Sequence, residues 1–316
     1  MTQRSPDLRP APRIIVAGAS GDAGKTTLAL GLVRALRARG VDVQPFKKGP
    51  DFIDPAWLSR AAGRPARNLD TRLCGDSVVQ DVFDRHAPPA GVSIIEGNRG
   101  LYDGGDAKGT HSTAALARLL AAPVLLVVNV TKVTRTAAAV VLGCKQLEPS
   151  TPVAAVVLNQ VAGKRHERVA REAIEQATGL PVVGAMPRLA ERTISSRHLG
   201  LLTPEEHASA DEVLGVVERL VAESVDLDAV LAIARGAGQR PRLAPALDPR
   251  LASAVCSGAG LRIGVLQDAA FTFYYPDNIE ALEATGARVV MVSPLRDAGL
   301  PEVDALYVGG GFPETH

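Results

Sequence analysis

Cysteine is scarce: the chain of 316 residues holds three, Cys74, Cys144 and Cys256. They are odd in number, far apart and without the paired spacing that zinc or redox sites use, which leaves them as ordinary reduced thiols. Net charge is almost absent as well, since 35 Lys and Arg face 34 Asp and Glu for a balance of +1. No global field then draws the protein to nucleic acid or to an anionic membrane, and any basic residue that matters must act locally. Long apolar runs are also missing. Pro123–Val130 is short and bounded by turn or polar residues, whereas a membrane-spanning helix needs about 20 apolar residues in sequence. Such runs read as buried strands. The polar, Pro-rich Met1–Pro12 lacks the apolar centre of a secretory signal, so a cytoplasmic location is expected.

What is present is enough apolar material, 46% of residues, for one large domain and part of another. Arg13–Gly18 is a β-branched run that predicts a strand. After a glycine-rich turn, Leu28, Leu32, Ala35 and Leu36 recur at helical spacing over Thr26–Arg39, and Gly40 ends the helix. Further strands are predicted at Val41–Phe46, Val92–Glu96, Val124–Val130, Val153–Asn159 and Pro181–Ala185, with helices such as Ser112–Leu120 and Lys164–Thr178 between them. This alternation predicts an α/β fold, a doubly wound and mostly parallel sheet with helices on both faces. It would occupy residues 13–235, the helical pattern Glu205–Ile233 included. Ala234–Gly260 is rich in Gly, Pro, Ala and Arg with little periodicity, which predicts a linker over 236–260. A second α/β unit over 261–316 would hold strands at Leu261–Leu266, Ala287–Val292 and Ala305–Val308 and a helix at Asn278–Thr285. It stops just after a strand end and reads as cut short.

The strongest chemical signal is Gly18-Ala19-Ser20-Gly21-Asp22-Ala23-Gly24-Lys25-Thr26-Thr27, placed between a strand and a helix. Gly21 and Gly24 let successive backbone N–H groups close around phosphate, the helix N-terminus adds its positive end, Lys25 neutralises the terminal phosphates and Thr26 can bind Mg²⁺. Alanine stands at 19 where the strict pattern has glycine. Ser93–Gly97 is an apolar strand ending in an acid, Glu96, which can meet the P-loop Mg²⁺ directly or through water. The segment Phe46–Asp54 follows another strand onto the same carboxyl edge. There Lys47 and Lys48 beside Asp51 and Asp54 either hold an anionic substrate with a metal or form a solvated charged turn. Asn159 ends a strand and can read a base edge or cap a turn. His198 in Ser195–Leu201 is a ligand contact or a loop histidine. His86, His111, His166, His207 and His316 show no ligand spacing.

Taken together, Gly24–Thr27, Lys48–Pro55, Glu96-Gly97 with Gly100–Gly104, Arg197–Leu201, Phe271–Asn278 and Gly309–Glu314 resemble the cobyrinate a,c-diamide synthase family, from about Arg13 to His316. The resemblance implies a glutamine-dependent amidotransferase of cobalamin biosynthesis. Its P-loop synthetase domain would be of dethiobiotin-synthetase type, and a partial class I glutamine-amidotransferase-like α/β domain would follow. It implies that ATP and Mg²⁺ phosphorylate the a- and c-side-chain carboxylates of a corrinoid, cobyrinate or hydrogenobyrinate, and that ammonia from glutamine then displaces phosphate. Lys25, Thr26 and Thr27 would serve the phosphates, Thr26, Glu96 and Asp51 the metal. Asp51 can also act on the carboxylate being activated, and Lys47 and Lys48 would hold side-chain carboxylates. Gly310 and Gly311 would lie in the oxyanion loop of the glutaminase, whose nucleophilic Cys and His would fall further along, so glutamine use is not expected of this chain. Asn98-Arg99 and Thr134-Arg135-Thr136 are more polar than a corrinoid site suggests. They keep sirohaem or sirohydrochlorin open as substrates of a sister enzyme. A P-loop ATPase switch of the partitioning kind is disfavoured, since Ser20 stands where such switches carry lysine. A homodimer is left open.

Overall fold

The computed structural model describes residues 11–188, 204, 209–239 and 258–316. The core is built around β1 (Arg13–Gly18), which is buried along its whole length. A parallel strand covered on both faces needs an apolar side chain at nearly every position, and Ile14, Ile15, Val16 and Ala17 supply them. β1 lies between β4 (Val92–Gly100) and β5 (Val124–Asn129). Outside β4 come β2 (Val43–Lys48) and β3 (Arg67–Leu69). Outside β5 come β6 (Val153–Val161) and β7 (Val182–Pro187), so the order is β3-β2-β4-β1-β5-β6-β7 with every pairing parallel.

One face is covered by α1 (Lys25–Ala38), α2 (Ile53–Ala62), α7 (Ala210–Ser224) and α8 (Leu227–Arg235). The other is covered by α3 (Asp76–His86), α4 (Thr113–Leu119), α5 (Arg135–Leu147) and α6 (Lys164–Thr178). The doubly wound sheet is therefore as expected. Ligands of such sheets bind outside the carboxyl ends of the strands, where neighbouring connections depart in opposite directions, and here that place is the end of β1.

Several local expectations need correction. The helical pattern Glu205–Ile233 is two helices over its described part. Val225 leaves α7 to bridge Gly184, and Asp226 then caps α8 by accepting from Asp228 N and Ala229 N at 3.1 and 2.9 Å. β2 and β4 run on to Lys48 and Gly100, past the predicted ends at Phe46 and Glu96, which draws polar residues into the sheet edge. α2, β3, α3 and α5 were not foreseen. Thr134-Arg135-Thr136 is the entry to α5.

The second unit is a parallel sheet in which β8 (Arg262–Leu266) lies between β10 (Ala305–Val308) and β9 (Arg288–Val292), with α9 (Pro276–Ala284) beside it. These elements match the expected ones to within a residue or two. Two contacts fasten the unit to the large sheet. Phe52 stacks on Phe273 and Tyr275, with ring centroids 5.1 and 4.6 Å apart. Buried Arg67 pairs with Glu280 and with Asp277, the latter at 3.6 Å. His86 lies 3.4 Å from Asp277, and ligand atoms of His86, Asp277 and Glu280 converge within 4.8 Å. Sequence spacing hid that cluster because it joins distant segments. The Arg67 guanidinium supplies its positive charge, so it is an ion-pair latch between the units. Of the linker expected at 236–260, residues 240–257 lie outside the described residues, as do Cys256, His207 and the Ser195–Leu201 motif with His198.

α1 and α7 touch closely at Gly31, where an added Cβ would stand 2.3 Å from Val221 Cγ2 and 2.6 Å from Val217 O. Helix propensity favours alanine over glycine by about 1 kcal/mol, but overpacking a filled contact costs about 1–3 kcal/mol. Gly31→Ala is therefore expected to lower the thermal midpoint by a few degrees despite its better propensity. A raised midpoint would mean that α7 does not pack on α1 in this way.

Candidate active site

Between β1 and α1 the chain turns through Gly18–Gly24. Gly24 is required there: its φ is +100°, and a Cβ would stand 2.1 Å from Asn159 Nδ2. Gly18 is required as well, because a Cβ would meet Ser20 O at 2.5 Å. Gly21 has open space around it. Ala19 fits where the strict pattern has glycine because its backbone needs no positive φ, and its N–H bonds to Val127 O at 2.9 Å. Lys25 opens α1 and is buried; burial lowers its pKa, while the charge of Glu96 opposes that shift. Thr26 and Thr27 follow in the first helical turn, half-buried.

The centre of the edge is Lys47, whose side chain is 2% exposed. The parallel register of β2 and β4 sets Lys47 directly opposite Glu96. Lys47 Nζ lies 3.3 Å from Glu96 Oε1 and 3.6 Å from Asp51 Oδ2, and it hydrogen-bonds to Asp54 Oδ2 and to Gly97 O. Burial by itself would lower the pKa of this lysine, but the fields of Glu96, Asp54 and Asp51 outweigh burial and raise it. Asp54 moves the other way for an acid: burial and the charge of Glu96 push its carboxyl up to about 7, against the pull of Lys47. The two shifts describe one group of charges. Lys47 stays cationic, and three carboxylates around one cation favour retaining a proton on one of them, Asp54.

Each acid is placed by a local reason. Asp51 Oδ1 caps α2, accepting from Ile53 N at 2.9 Å and Asp54 N at 3.1 Å, which leaves Oδ2 facing Lys47. The segment read as a substrate and metal loop or a solvated charged turn contains a helix start, and Asp54 sits in its first turn. Glu96 is fully buried, with Oε1 accepting from Thr26 Oγ1 at 2.5 Å. Its Oε2 is buried and has no hydrogen-bond partner among the described residues. An orphaned carboxylate oxygen beside a hydroxyl and further carboxylates is a set of hard oxygen donors, and it fits a divalent cation of the Mg²⁺ kind.

A family model described as CobQ/CobB/MinD/ParA nucleotide binding domain matches residues 14–201. The chain belongs to that family. Residues 262–316 match a second family, the CobB/CobQ-like glutamine amidotransferase domain. Among curated relatives, the chain is 46% identical over 305 residues to cobyrinate a,c-diamide synthase of Magnetococcus marinus, covering 96% of this chain and 65% of that protein. It is 43% identical to the same-named protein of Archaeoglobus fulgidus, with 96% and 65% covered. It is 41% identical to that of Picrophilus torridus, with 95% and 67% covered. The chain thus spans about 65% of the length of the curated relatives it matches first. Solved chloroplast FtsY from Physcomitrella patens overlays loosely, at 14% identity and TM-score 0.44 over 68% of this chain and 69% of that one. Among the described residues, no helix is long and apolar enough to cross a membrane.

In this CobQ/CobB-type chain the remaining expected residues divide. Asn159 comes to the P-loop, where its Nδ2 donates to Ala23 O at 2.8 Å and its Oδ1 accepts from Gln160 N at 2.9 Å. Its Nδ2 thus fastens the loop at Ala23, while its Oδ1 is held by the neighbouring backbone of β6. Lys48 ends β2 at the same edge and, among the described residues, has neither a hydrogen bond nor an ion pair, in contrast to Lys47. Gly310 and Gly311 lie in the other unit, against the segment that carries Phe273: Phe273 N donates to Gly310 O at 2.9 Å, and a Cβ on Gly311 would meet Ala270 O at 2.0 Å. Asp54 was visible only as one member of an acidic pair. Its spacing of three from Asp51 was a usable signal, since it sets both acids on one side of a helix start.

The titration of Asp54 yields a signed prediction. Its ordinary value is 3.8 and its folded value about 7. Between the two, the folded protein keeps a proton that the unfolded chain has released, so this group's contribution to stability falls as pH rises from about 4 to about 7 and is level above. In the metal-free protein, Asp54→Asn should flatten that slope: its unfolding midpoint in urea should gain on wild type between pH 5 and pH 7.5. Parallel pH profiles for the two proteins would remove the raised carboxyl.

Proposed function

We propose that residues 13–235 are the synthetase and 261–316 the N-terminal part of the glutaminase of an ATP-dependent carbon–nitrogen ligase. Its substrate would be cobyrinate or hydrogenobyrinate, amidated on the a- and c-side-chain carboxylates in cobalamin biosynthesis, in the cytoplasm. The observation that carries the reading is the buried Lys47 with Asp51, Asp54 and Glu96, next to a P-loop whose Thr26 is bonded to Glu96. The names of the relatives supply the substrate class.

A carboxylate is a poor electrophile, so amide formation needs activation. In this reading a carboxylate oxygen of the substrate attacks the γ-phosphorus of ATP, ADP leaves, and ammonia displaces phosphate from the resulting acyl phosphate. The P-loop N–H groups and Lys25 bind the phosphates, and Thr27 continues that cradle into α1. Thr26, Glu96 and Asp51 would hold Mg²⁺, which supplies charge neutralisation for the transferring phosphoryl group. Lys47, proposed from the sequence to hold a carboxylate, is occupied by its own three acids and instead fixes Glu96, Asp51 and Asp54 at the edge, while Lys48 receives a substrate carboxylate beside it. In the longer enzyme glutamine would supply the ammonia, with Gly310 and Gly311 in the oxyanion loop. Sirohydrochlorin is retained as a second substrate because polar Asn98 and Arg99 stand at this same edge.

The protein is to be supplied with ATP, Mg²⁺ and ammonium together with either cobyrinate or sirohydrochlorin, and the products read by mass spectrometry. Mass changes of one and two amides on cobyrinate are expected, and amidation of sirohydrochlorin alone would move the assignment to the sister reaction. Lys25→Ala should lower nucleotide affinity at least tenfold with an unchanged melting profile. Asp51→Asn and Glu96→Gln should each cut amidation at least a hundredfold while ADP binding changes far less. Full amide synthesis by both acid variants would mean that the reacting edge lies elsewhere.

A further inference from the structure

Beyond the reacting centre, the same edge carries two further cations, Lys48 and Arg99. Lys48 is the last residue of β2, and Arg99 lies near the end of β4, the strand paired with it. The two strand ends are in contact: a Cβ on Gly49 would stand 3.6 Å from Asn98 Nδ2. Among the described residues the side chains of Lys48 and Arg99 make no hydrogen bond or ion pair, although Lys47 next door faces three carboxylates. The acid whose charge acts on Lys48 is Asp70; its Oδ1 accepts from Arg72 N and Leu73 N at 2.8 and 3.1 Å, and its Oδ2 is buried without a hydrogen bond among the described residues.

The backbone at Arg99 adds a second, independent observation. Its φ is +49°, the left-handed region that a non-glycine residue enters at a cost of about 1–2 kcal/mol. The conformation is held from both sides, because Asn98 N donates to Thr113 Oγ1 at 3.1 Å and Gly100 N to Asp103 Oδ2 at 2.8 Å. Glycine would sit there without strain.

We propose that Lys48 and Arg99 form an anion subsite that grips a second carboxylate of the same polycarboxylate substrate while the first is activated at Glu96 and Asp51. The inference rests on the proposed function and narrows it: the substrate must carry at least two carboxylates, one reaching the β2–β4 rim while the other reacts. Burial lowers the pKa of Lys48, with Asp70 opposing and the positive charges of Lys47 and Arg99 adding to the shift. A bound carboxylate would relieve that crowding. Arg99 then decides which substrates stay long enough to react, and it takes no part in phosphoryl transfer.

The test is calorimetric binding in the presence of ADP and Mg²⁺, with cobyrinate, its fully esterified derivative and sirohydrochlorin as probes. Wild type, Lys48→Met, Arg99→Met and Arg99→Gly are compared. Cobyrinate affinity should fall at least tenfold in each variant, ADP affinity should stay within twofold, and the ester should not distinguish the four proteins. Arg99→Gly should melt at or above the wild-type temperature, because it relieves the positive φ, and yet lose the same affinity. That pairing excludes misfolding as the cause. Unchanged cobyrinate affinity in the folded Arg99→Gly protein overturns the subsite. If wild type binds sirohydrochlorin in place of cobyrinate and the variants lose that binding, the substrate assignment fails and the subsite stands. If wild type binds ADP and neither tetrapyrrole, both fail.

Discussion

A buried ammonium group holds the carboxyl edge of the large sheet together. Lys47 lies at the end of a strand with almost no exposure, and taking a cation out of water costs several kcal/mol unless opposite charge replaces the solvent. Here Glu96 comes from the neighbouring strand, and Asp51 and Asp54 from the start of the next helix. Without Lys47 those acids would repel one another in a low-dielectric place; without them the lysine could not stay charged. The cluster thus joins the end of β2, the polar extension of β4 and the start of α2.

The same cluster accounts for the readiness of the site toward a metal and phosphates. One cation cannot neutralise three carboxylates, so a proton on Asp54 and an unpartnered oxygen on Glu96 remain. A divalent cation is a natural answer to both. Asn159 makes the P-loop a fixed object beside this group, since its amide is bonded to Ala23 at a glycine turn that admits no side chain. Preorganisation of this sort stabilises developing charge without rearrangement during the reaction.

Phe52 ties this edge to the second unit. It follows the capping Asp51 and stacks on Phe273 and Tyr275, and Phe273 is in turn bridged to Gly310. A helix cap at one site and a glycine loop in the other unit are therefore joined through one aromatic stack. The Arg67 latch with Asp277 and Glu280 holds the two units in that alignment from the side.

Much of this was legible in the order of residues. The strand–glycine turn–helix at Arg13–Thr27 announces a phosphate loop because the glycines, the lysine and the helix start must be contiguous to do that work, and local features are what a sequence displays. The alternation of apolar runs likewise determined a doubly wound sheet, because strands buried on both faces can be written in few ways. Glu96 and Asp51 could be singled out as strand-end acids. That Lys47 would lie against both, with Asp54 beside them, was decided by the parallel register of β2 and β4 and by a helix that no strong periodicity announced. Asn159 came to the P-loop because β6 lies two strands from β1 in the sheet, a neighbourhood with no trace in spacing. The latch at His86 and Arg67 is of the same kind. Charges are recognisable in a sequence, but whether each is neutralised depends on which distant backbone is brought beside it, and only the tertiary structure decides that.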